Sequence, residues 1–524
     1  MNITEIVQQH AKQFPQDVAI IDRYRGRSRC TTYHEFDQAI GRTATMLRQS
    51  GLKAGDTVLL FHPMSVELYT ALAAILRSGM TAMFVDPSAG WRYIDRCCEL
   101  LPPQALMASS KAHLLRLVSP TLRRIPRKWS IGRRIPFARP FEKAQSWSDD
   151  GFVHDCDAET PALASFTSGS TGLPKATIRT HRFLLAQHQA IEQSFGLAAG
   201  QVELVTMPIF VLANLASRVT SVIADGDLRR PSEISPDRIL KQIHQHQPNR
   251  IAASPAFFNR LLTDCNSNDP RLRSLRQIFT GGGPVPPRLL ERFAVTAPAA
   301  EVTVVYGSTE AEPISIVAAS DTDATDRIAM GQGKGLLVGR PVQSLDVRIM
   351  SDHWGQSVGT LSADDFDQLC QPAGAAGEIV VAGPHVLAGY LHGDADAENK
   401  FQVGGTCWHR TGDAGYFDHR GRLWLLGRCA ARVDDEHGAL YPLGVEQAAM
   451  RHPCIGQAAM VSHGGERVLV VTLDDANAQP DLASLLKSLA FANVDTIRIL
   501  KRLPVDRRHH SKIDYPALHQ LLAQ

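Results

Sequence analysis

Apolar positions recur along this chain in two periods, and their alternation lays out an architecture. Helical spacing predicts helices over residues 3–13, 33–50 and 65–78, the second stopping at Gly51. Short apolar runs predict strands at 17–22, 56–61, 83–85 and 105–108. Strands alternating with helices argue for an α/β sheet. Apolar residues on either side of a hydroxyl- and glycine-rich stretch at 167–175 predict strand–loop–strand there. Beyond it the pattern predicts helices over 181–195, 236–247 and 255–263, and strands at 204–208, 250–253, 278–280 and 302–306. The last two strands run into glycines, and ligands gather at the carboxyl ends of parallel strands.

From about Gly339 the texture changes. Short strand-like runs at 345–350, 377–381 and 422–427 predict a small β subdomain, with 352–376 a variable loop. A mixed helix–strand pattern fills 428–524. No internal repeat interrupts the order.

Composition narrows the class. A chain of 524 residues is too long for one ordinary core. With 44% hydrophobic and 21% charged residues it reads as globular, and a net charge of +2 gives no pull toward nucleic acid. Nine scattered cysteines without a Cys-x-x-Cys point to neither a zinc site nor a disulfide framework. A cytoplasmic location is expected. No apolar run approaches the roughly 20 residues that span a bilayer. From Lys111 to Lys143 the chain carries ten Lys or Arg among apolar residues. The plain reading is a solvated excursion. The sharper one is weak contact with a membrane surface, although prolines at 120, 126, 136 and 140 rule out one long amphipathic helix.

The candidate chemistry centres on Thr167-Ser168-Gly169-Ser170-Thr171-Gly172-Leu173-Pro174-Lys175. Glycines let backbone N–H groups turn toward one point, hydroxyls add donors, and the lysine adds a compact charge. That combination suits a polyphosphate, although a flexible surface hairpin has the same composition. The Walker spacing is absent.

The order of this nonapeptide resembles the phosphate loop of the adenylate-forming superfamily, which includes acyl-CoA synthetases, peptide-synthetase adenylation domains and luciferase. Further stretches match that superfamily in its order. Gly281-Gly282-Gly283-Pro284 resembles its adenine-side turn. Tyr306-Gly307-Ser308-Thr309-Glu310 resembles the motif whose tyrosine stacks on adenine and whose Thr-Glu meets phosphate and magnesium. Gly377-Glu378-Ile379 and Gly389-Tyr390 match its β-subdomain signature. His409-Arg410-Thr411-Gly412-Asp413 matches its Tyr-Arg-Thr-Gly-Asp motif with histidine for tyrosine, and Ser511-Lys512-Ile513 its terminal Gly-Lys-Ile.

The resemblance implies a large N-terminal domain, 1–427, of α/β subdomains plus a small β subdomain. It implies a hinged α+β C-terminal domain, 428–524, carrying a catalytic lysine. It implies ATP and Mg2+, the metal on Glu310. Thr309, Glu310, Lys175 and Lys512 would act on the phosphates, Lys512 bridging the substrate carboxylate and the α-phosphate. Asp413 and Arg428 would hold ribose. A degenerate, non-catalytic adenylate binder would have lost Glu310, Asp413 or Lys512, and all three are present.

Departures refine the second step. Ala176 follows the loop lysine where glycine is usual, Pro208-Ile209-Phe210-Val211 lacks the usual histidine, and Ala431 and Asp434 replace the hinge aspartate and lysine. Asp506–Ile513, Trp408-His409-Arg410, and Arg432-Val433 with Tyr441-Pro442 resemble the olefin β-lactone synthetases, a bacterial branch. That likeness implies a lipid-like, long-chain β-hydroxy acid whose own hydroxyl expels AMP. Formation of a CoA thioester, which would bring in CoA, and transfer to a carrier protein stay open, as does assembly with pathway enzymes. Ile209, Phe210, Leu212, Phe257 and Phe258 are candidates for lining an acyl pocket, at positions that ordinary core would also fill.

Overall fold

The computed structural model describes residues 2–168, 174–393, 396–475, 478–505 and 513–523. Contacts divide the chain into two compact units. One holds 1–225, 246–250 and 389–395, and the other 226–245, 251–388 and 396–524.

The first unit is built on a seven-stranded sheet. Its order is Arg139–Pro140, Arg127–Ile131, Ala105–Ser109, Thr57–Phe61, Thr81–Phe84, Pro161–Ser168, Pro174–Thr180. All neighbours are parallel except the last pair, which is antiparallel and flanks the glycine-rich loop. Every residue of Thr57–Phe61 is buried, as expected of a strand covered on both faces. Four more strands of this unit pair in the order Val202–Val205, Thr220–Ile223, Val18–Tyr24, Arg27–Thr32. The helices start where their sequences cap them. Thr32 and Glu35 form a reciprocal capping box for Tyr33–Gln49, and Ser65 and Thr180 cap Val66–Arg77 and His181–Phe195.

The second unit carries a mixed sheet in the order Asp346–Met350, Gly377–Ala382, Thr406–Phe417, Leu423–Arg428, Leu336–Pro341, Ala311–Ala318, Glu301–Ser308, Gln277–Gly281. The last two are parallel and the others antiparallel. Toward the C-terminus, Ile455–His463, Glu466–Leu473 and Thr496–Ile499 form a three-stranded sheet over a core of Val445, Ala449, Met460, Leu469, Leu485 and Leu489. Among the described residues no helix is long and apolar enough to cross a membrane.

The expected α/β order holds, with three corrections. Pro208 does not end a strand. The strand is Val202–Val205, and Pro208 opens the helix Pro208–Ser217, where a proline costs no hydrogen bond. Helices Trp91–Leu100 and Pro287–Thr296 join those expected. Residues 352–376 are not all loop, since Ser362 caps a helix at Ala363–Leu369 whose Phe366 is buried against Phe401 and Trp408.

Candidate functional site

In the first unit, the strands flanking the glycine-rich loop are in register, Thr167 opposite Lys175 and Ser168 opposite Pro174. Lys175 Nζ lies 5.9 Å from the ring centroid of Tyr390, and Thr177 bridges Tyr390 through the backbone. A cation over an aromatic face is held while its outer side stays solvated. Gly169, Ser170, Thr171 and Gly172 lie outside the described residues.

In the second unit, strand ends assemble a compact cluster. Gly281 ends Gln277–Gly281 beside Val305, and a Cβ there would sit 2.4 Å from the Val305 carbonyl oxygen. Gly282 follows with φ +80°, a conformation that favours glycine. Gly283 completes the turn. Ser308 pairs with Ala311, so Thr309 and Glu310 form the tip of a hairpin, with the register shifting between Tyr306 and Ser308. The bend falls at Gly307, whose added Cβ would come within 3.0 Å of the Ala311 carbonyl oxygen.

Tyr306 is buried, and its hydroxyl donates to Asp413 Oδ2 at 2.9 Å. Burial first, then the Asp413 carboxylate, hold the phenol well above its usual range, so it remains a neutral donor. Asp413 lies opposite Arg428 on the neighbouring strand, and its Oδ1 meets Arg428 Nε at 3.2 Å. Arg428 also donates to the Thr411 carbonyl at 3.3 Å, and its side chain stays half-exposed at 48%. A buried phenol, a carboxylate and a half-free guanidinium thus share one corner.

Beneath the corner runs a buried support. Arg410 Nε and Nη2 both reach Glu378 Oε2, at 2.9 and 2.6 Å. Glu378 Oε1 accepts from the Gly412 amide at 3.2 Å, and Arg410 Nη1 donates to the Gln356 carbonyl at 2.5 Å. Thr411 Oγ1 donates to the Ile379 carbonyl at 2.7 Å and accepts from the Asp413 amide at 3.1 Å. Trp354 closes over Gly412, where a Cβ would lie 2.8 Å from the ring, and Arg410 stands 5.5 Å from that ring's centroid. The Asp413 backbone is therefore fixed from both sides.

Sequence reasoning missed a second support, behind Glu310. The Leu387 amide donates to the Glu310 carbonyl at 2.7 Å, and the Lys400 ammonium donates to the Leu387 carbonyl. Lys400 pairs across the sheet with His409, whose Nδ1 donates to the Asn399 carbonyl at 3.1 Å. Burial pushes Lys400 down to about 8, against the pull of Cys407, Glu310 and Asp396. Burial, then Lys400, push His409 down to about 3, so the imidazole at the position of the motif tyrosine is neutral. His409 was visible as a motif substitution. Lys400 carried no signal, because its role depends on which strand lies beside it.

Near the expected hinge, Arg432 Nη1 and the Tyr441 hydroxyl both reach Asp352 Oδ2, at 2.9 and 2.8 Å, and Arg432 Nε reaches Asp434 Oδ2 at 2.9 Å. Asp434, which stands where lysine is usual, thus completes an ion-pair knot. Lys512 lies outside the described residues. Of the candidate acyl-pocket residues, Phe257 meets Phe258 edge to face, and Phe258 meets Phe293 the same way, in the core of the second unit. Phe210 is buried against Phe195, and Ile209 and Leu212 line a small apolar cavity of about 70 Å³ with Phe36, Tyr69 and Leu184.

The chain is 31% identical over 504 residues to the olefin beta-lactone synthetase of Stenotrophomonas maltophilia, covering 92% of this chain and 89% of that one. It is 30% identical over 511 residues to the olefin beta-lactone synthetase of Xanthomonas campestris pv. campestris, with the same shares. Its fold is similar to that of the amide bond synthetase McbA from Marinactinospora thermotolerans, with a TM-score of 0.81, 22% identity and 99% of each chain covered. The family model described as AMP-binding enzyme matches residues 7–391. With a cluster at the strand ends shaped by the motifs of adenylate-forming enzymes, and with that match over most of its length, the chain belongs to the AMP-binding enzyme family.

Proposed function

We propose that this enzyme activates a long-chain β-hydroxy acid with ATP and then closes it to a β-lactone. The substrate carboxylate attacks the α-phosphorus and pyrophosphate leaves, giving an acyl adenylate. The β-hydroxyl oxygen then attacks the acyl carbon, the bond from that carbon to the phosphate oxygen breaks, and AMP departs as the hydroxyl proton passes to solvent. The nucleophile is tethered, so its high effective concentration offsets the strain of a four-membered ring. The corner formed by Tyr306, Asp413 and Arg428 carries the nucleotide part of the reading. A carboxylate oriented by a phenol and a guanidinium suits the paired hydroxyls of ribose, and the strand-end glycines leave room for a flat base. Glu310 fits magnesium by donor chemistry. Among the described residues no group of three or more His, Cys, Asp or Glu side chains could hold a metal ion. One carboxylate at a hairpin tip is the protein share that Mg2+ takes when substrate phosphates and water complete its octahedron. Bound there, the metal would offset triphosphate charge. Lys175 and the hydroxyls of the glycine-rich loop would hold the phosphates, and Lys512 would align the two anions.

The similarity to two olefin beta-lactone synthetases and the Arg432–Asp352–Tyr441 knot in place of the usual hinge pair support lactone closure over thioester formation. The test incubates the enzyme with ATP, Mg2+ and β-hydroxy acids of graded length, with and without CoA. The expected outcome is pyrophosphate release and a lactone, by mass spectrometry, without CoA. A thioester alone, formed only when CoA is present, would refute the lactone step while keeping adenylation.

A further inference from the structure

Residues 101–141 hold nine Lys or Arg and no Asp or Glu, in a chain whose net charge is only +2. In the first unit, the bond from Arg116 to the Pro136 carbonyl brings two parts of this stretch together. Two of its segments project apolar side chains into solvent. Leu114, Leu117 and Val118 on the turn Ala112–Leu117 and just beyond it are 60%, 74% and 52% exposed, and Phe137 is 91% exposed.

These side chains are held out by specific bonds. Arg116 Nη1 donates to the Pro136 carbonyl at 3.2 Å, tying the turn to the Phe137 loop. Arg123 donates to the carbonyls of Arg116 and Leu117, at 3.2 and 3.0 Å. Ser110 and Ser130 both donate to the Arg133 carbonyl, at 3.0 and 2.6 Å. Phe137 itself has φ +59°, a left-handed conformation that aromatic residues avoid. Beside it lies an open groove of about 320 Å³ lined by Pro126, Arg127, Lys128, Phe137, Ala138 and Arg139. Around this rim Arg124, Arg133 and Arg134 are exposed and, among the described residues, form no ion pair.

We infer that this face docks on an anionic lipid bilayer, with Phe137 and Leu117 entering the headgroup boundary and the arginines bound to lipid phosphates. Charge complementarity selects the occupant. Cations without acidic partners attract an anionic surface, and each near the membrane strengthens binding about fivefold. Nucleic acid would use the same charges but would leave an outward Phe and three aliphatic side chains unburied. Insertion is by two short loops, since Pro120, Pro126, Pro136 and Pro140 break the stretch. Such docking would place the enzyme where long-chain acids partition.

The test is co-sedimentation of the full chain with vesicles of phosphatidylglycerol and phosphatidylcholine at roughly 3:7, against pure phosphatidylcholine. The protein is expected to bind the anionic vesicles only, and to release at high salt. Phe137→Ser with Leu117→Ser should weaken binding about tenfold. Arg133→Glu with Arg134→Glu, an independent pair, should weaken it at least about tenfold. Both pairs are surface changes, so pyrophosphate release from a short soluble acid should be unchanged. Equal binding to both vesicles, no binding to either, or full binding by both variants overturns the inference. Vesicle binding is read without turnover, so its failure leaves the proposed reaction standing, and the reverse also holds.

Discussion

Glu378–Arg410 and Glu203–Arg250 are chemically the same pair, each withdrawn from solvent, and they differ in every contact around them. In the second unit, Glu378 uses both oxygens and Arg410 uses three nitrogens, and the pair holds the Gly412 amide, next to Asp413, and the Gln356 carbonyl. In the first unit, Arg250 Nε meets Glu203 Oε2 at 3.2 Å and Arg250 Nη1 donates to the Phe195 carbonyl at 3.0 Å, while Glu203 Oε1 has no hydrogen-bond partner among the described residues. Burial pushes the Glu203 carboxyl up, against the pull of Arg250. A buried charge pair repays desolvation only when its remaining lone pairs and protons are used. The saturated pair sits under the strand that carries Asp413. The incomplete pair ties Glu203 of the strand Val202–Val205 to the carbonyl end of the helix His181–Phe195.

Three experiments press on that difference, beginning with the largest effect. Glu378→Ala leaves Arg410 as a buried, uncompensated cation, which costs roughly 3–5 kcal/mol. Denaturant unfolding should show that loss, and ATP affinity should fall with it because the Gly412 amide loses its anchor. Wild-type affinity in a stably folded Glu378→Ala protein would detach the pair from the site. Next, each pair can be replaced by apolar residues of similar size. Glu203→Leu with Arg250→Met should be neutral or stabilising by about 1–4 kcal/mol, with pyrophosphate release unchanged. Glu378→Leu with Arg410→Met should keep the fold but lose nucleotide binding. Equal activity in the two double variants would erase the contrast.

The smallest effect is a pH slope. The native state holds the Glu203 proton to higher pH than the unfolded chain does. Glu203 therefore contributes stability that is present below the ordinary carboxylate range and lost as pH rises toward neutrality. Glu203→Gln should remove that slope, on the order of 1 kcal/mol, in melting curves taken across the window. An identical slope in the variant would show that Glu203 titrates normally.

The same contrast explains what the sequence revealed. Tyr306 and Asp413 were legible because each sits in a motif whose glycines and order are local. Glu378 was legible as a motif letter, but not as the anchor of Gly412. Lys400 and Asp352 were silent, because their work depends on partners brought near by strand order. Pro208 shows the local version of the problem. An apolar run before a proline reads as a strand ending, yet the proline was the first residue of a helix. The Trp91–Leu100 helix has no side-chain cap, so no start signal marked it.

The short segment from Ser351 to Gln356 opens what reads from sequence as a variable loop, and it is clasped at three points. Asp352 takes Arg432 and Tyr441, Trp354 covers Gly412, and the Gln356 carbonyl takes Arg410. A chimera that exchanges this region with a relative's should therefore splice after Gln356. Cutting six residues earlier would release the supports of Asp413 and Arg432 together, without a single motif residue having changed.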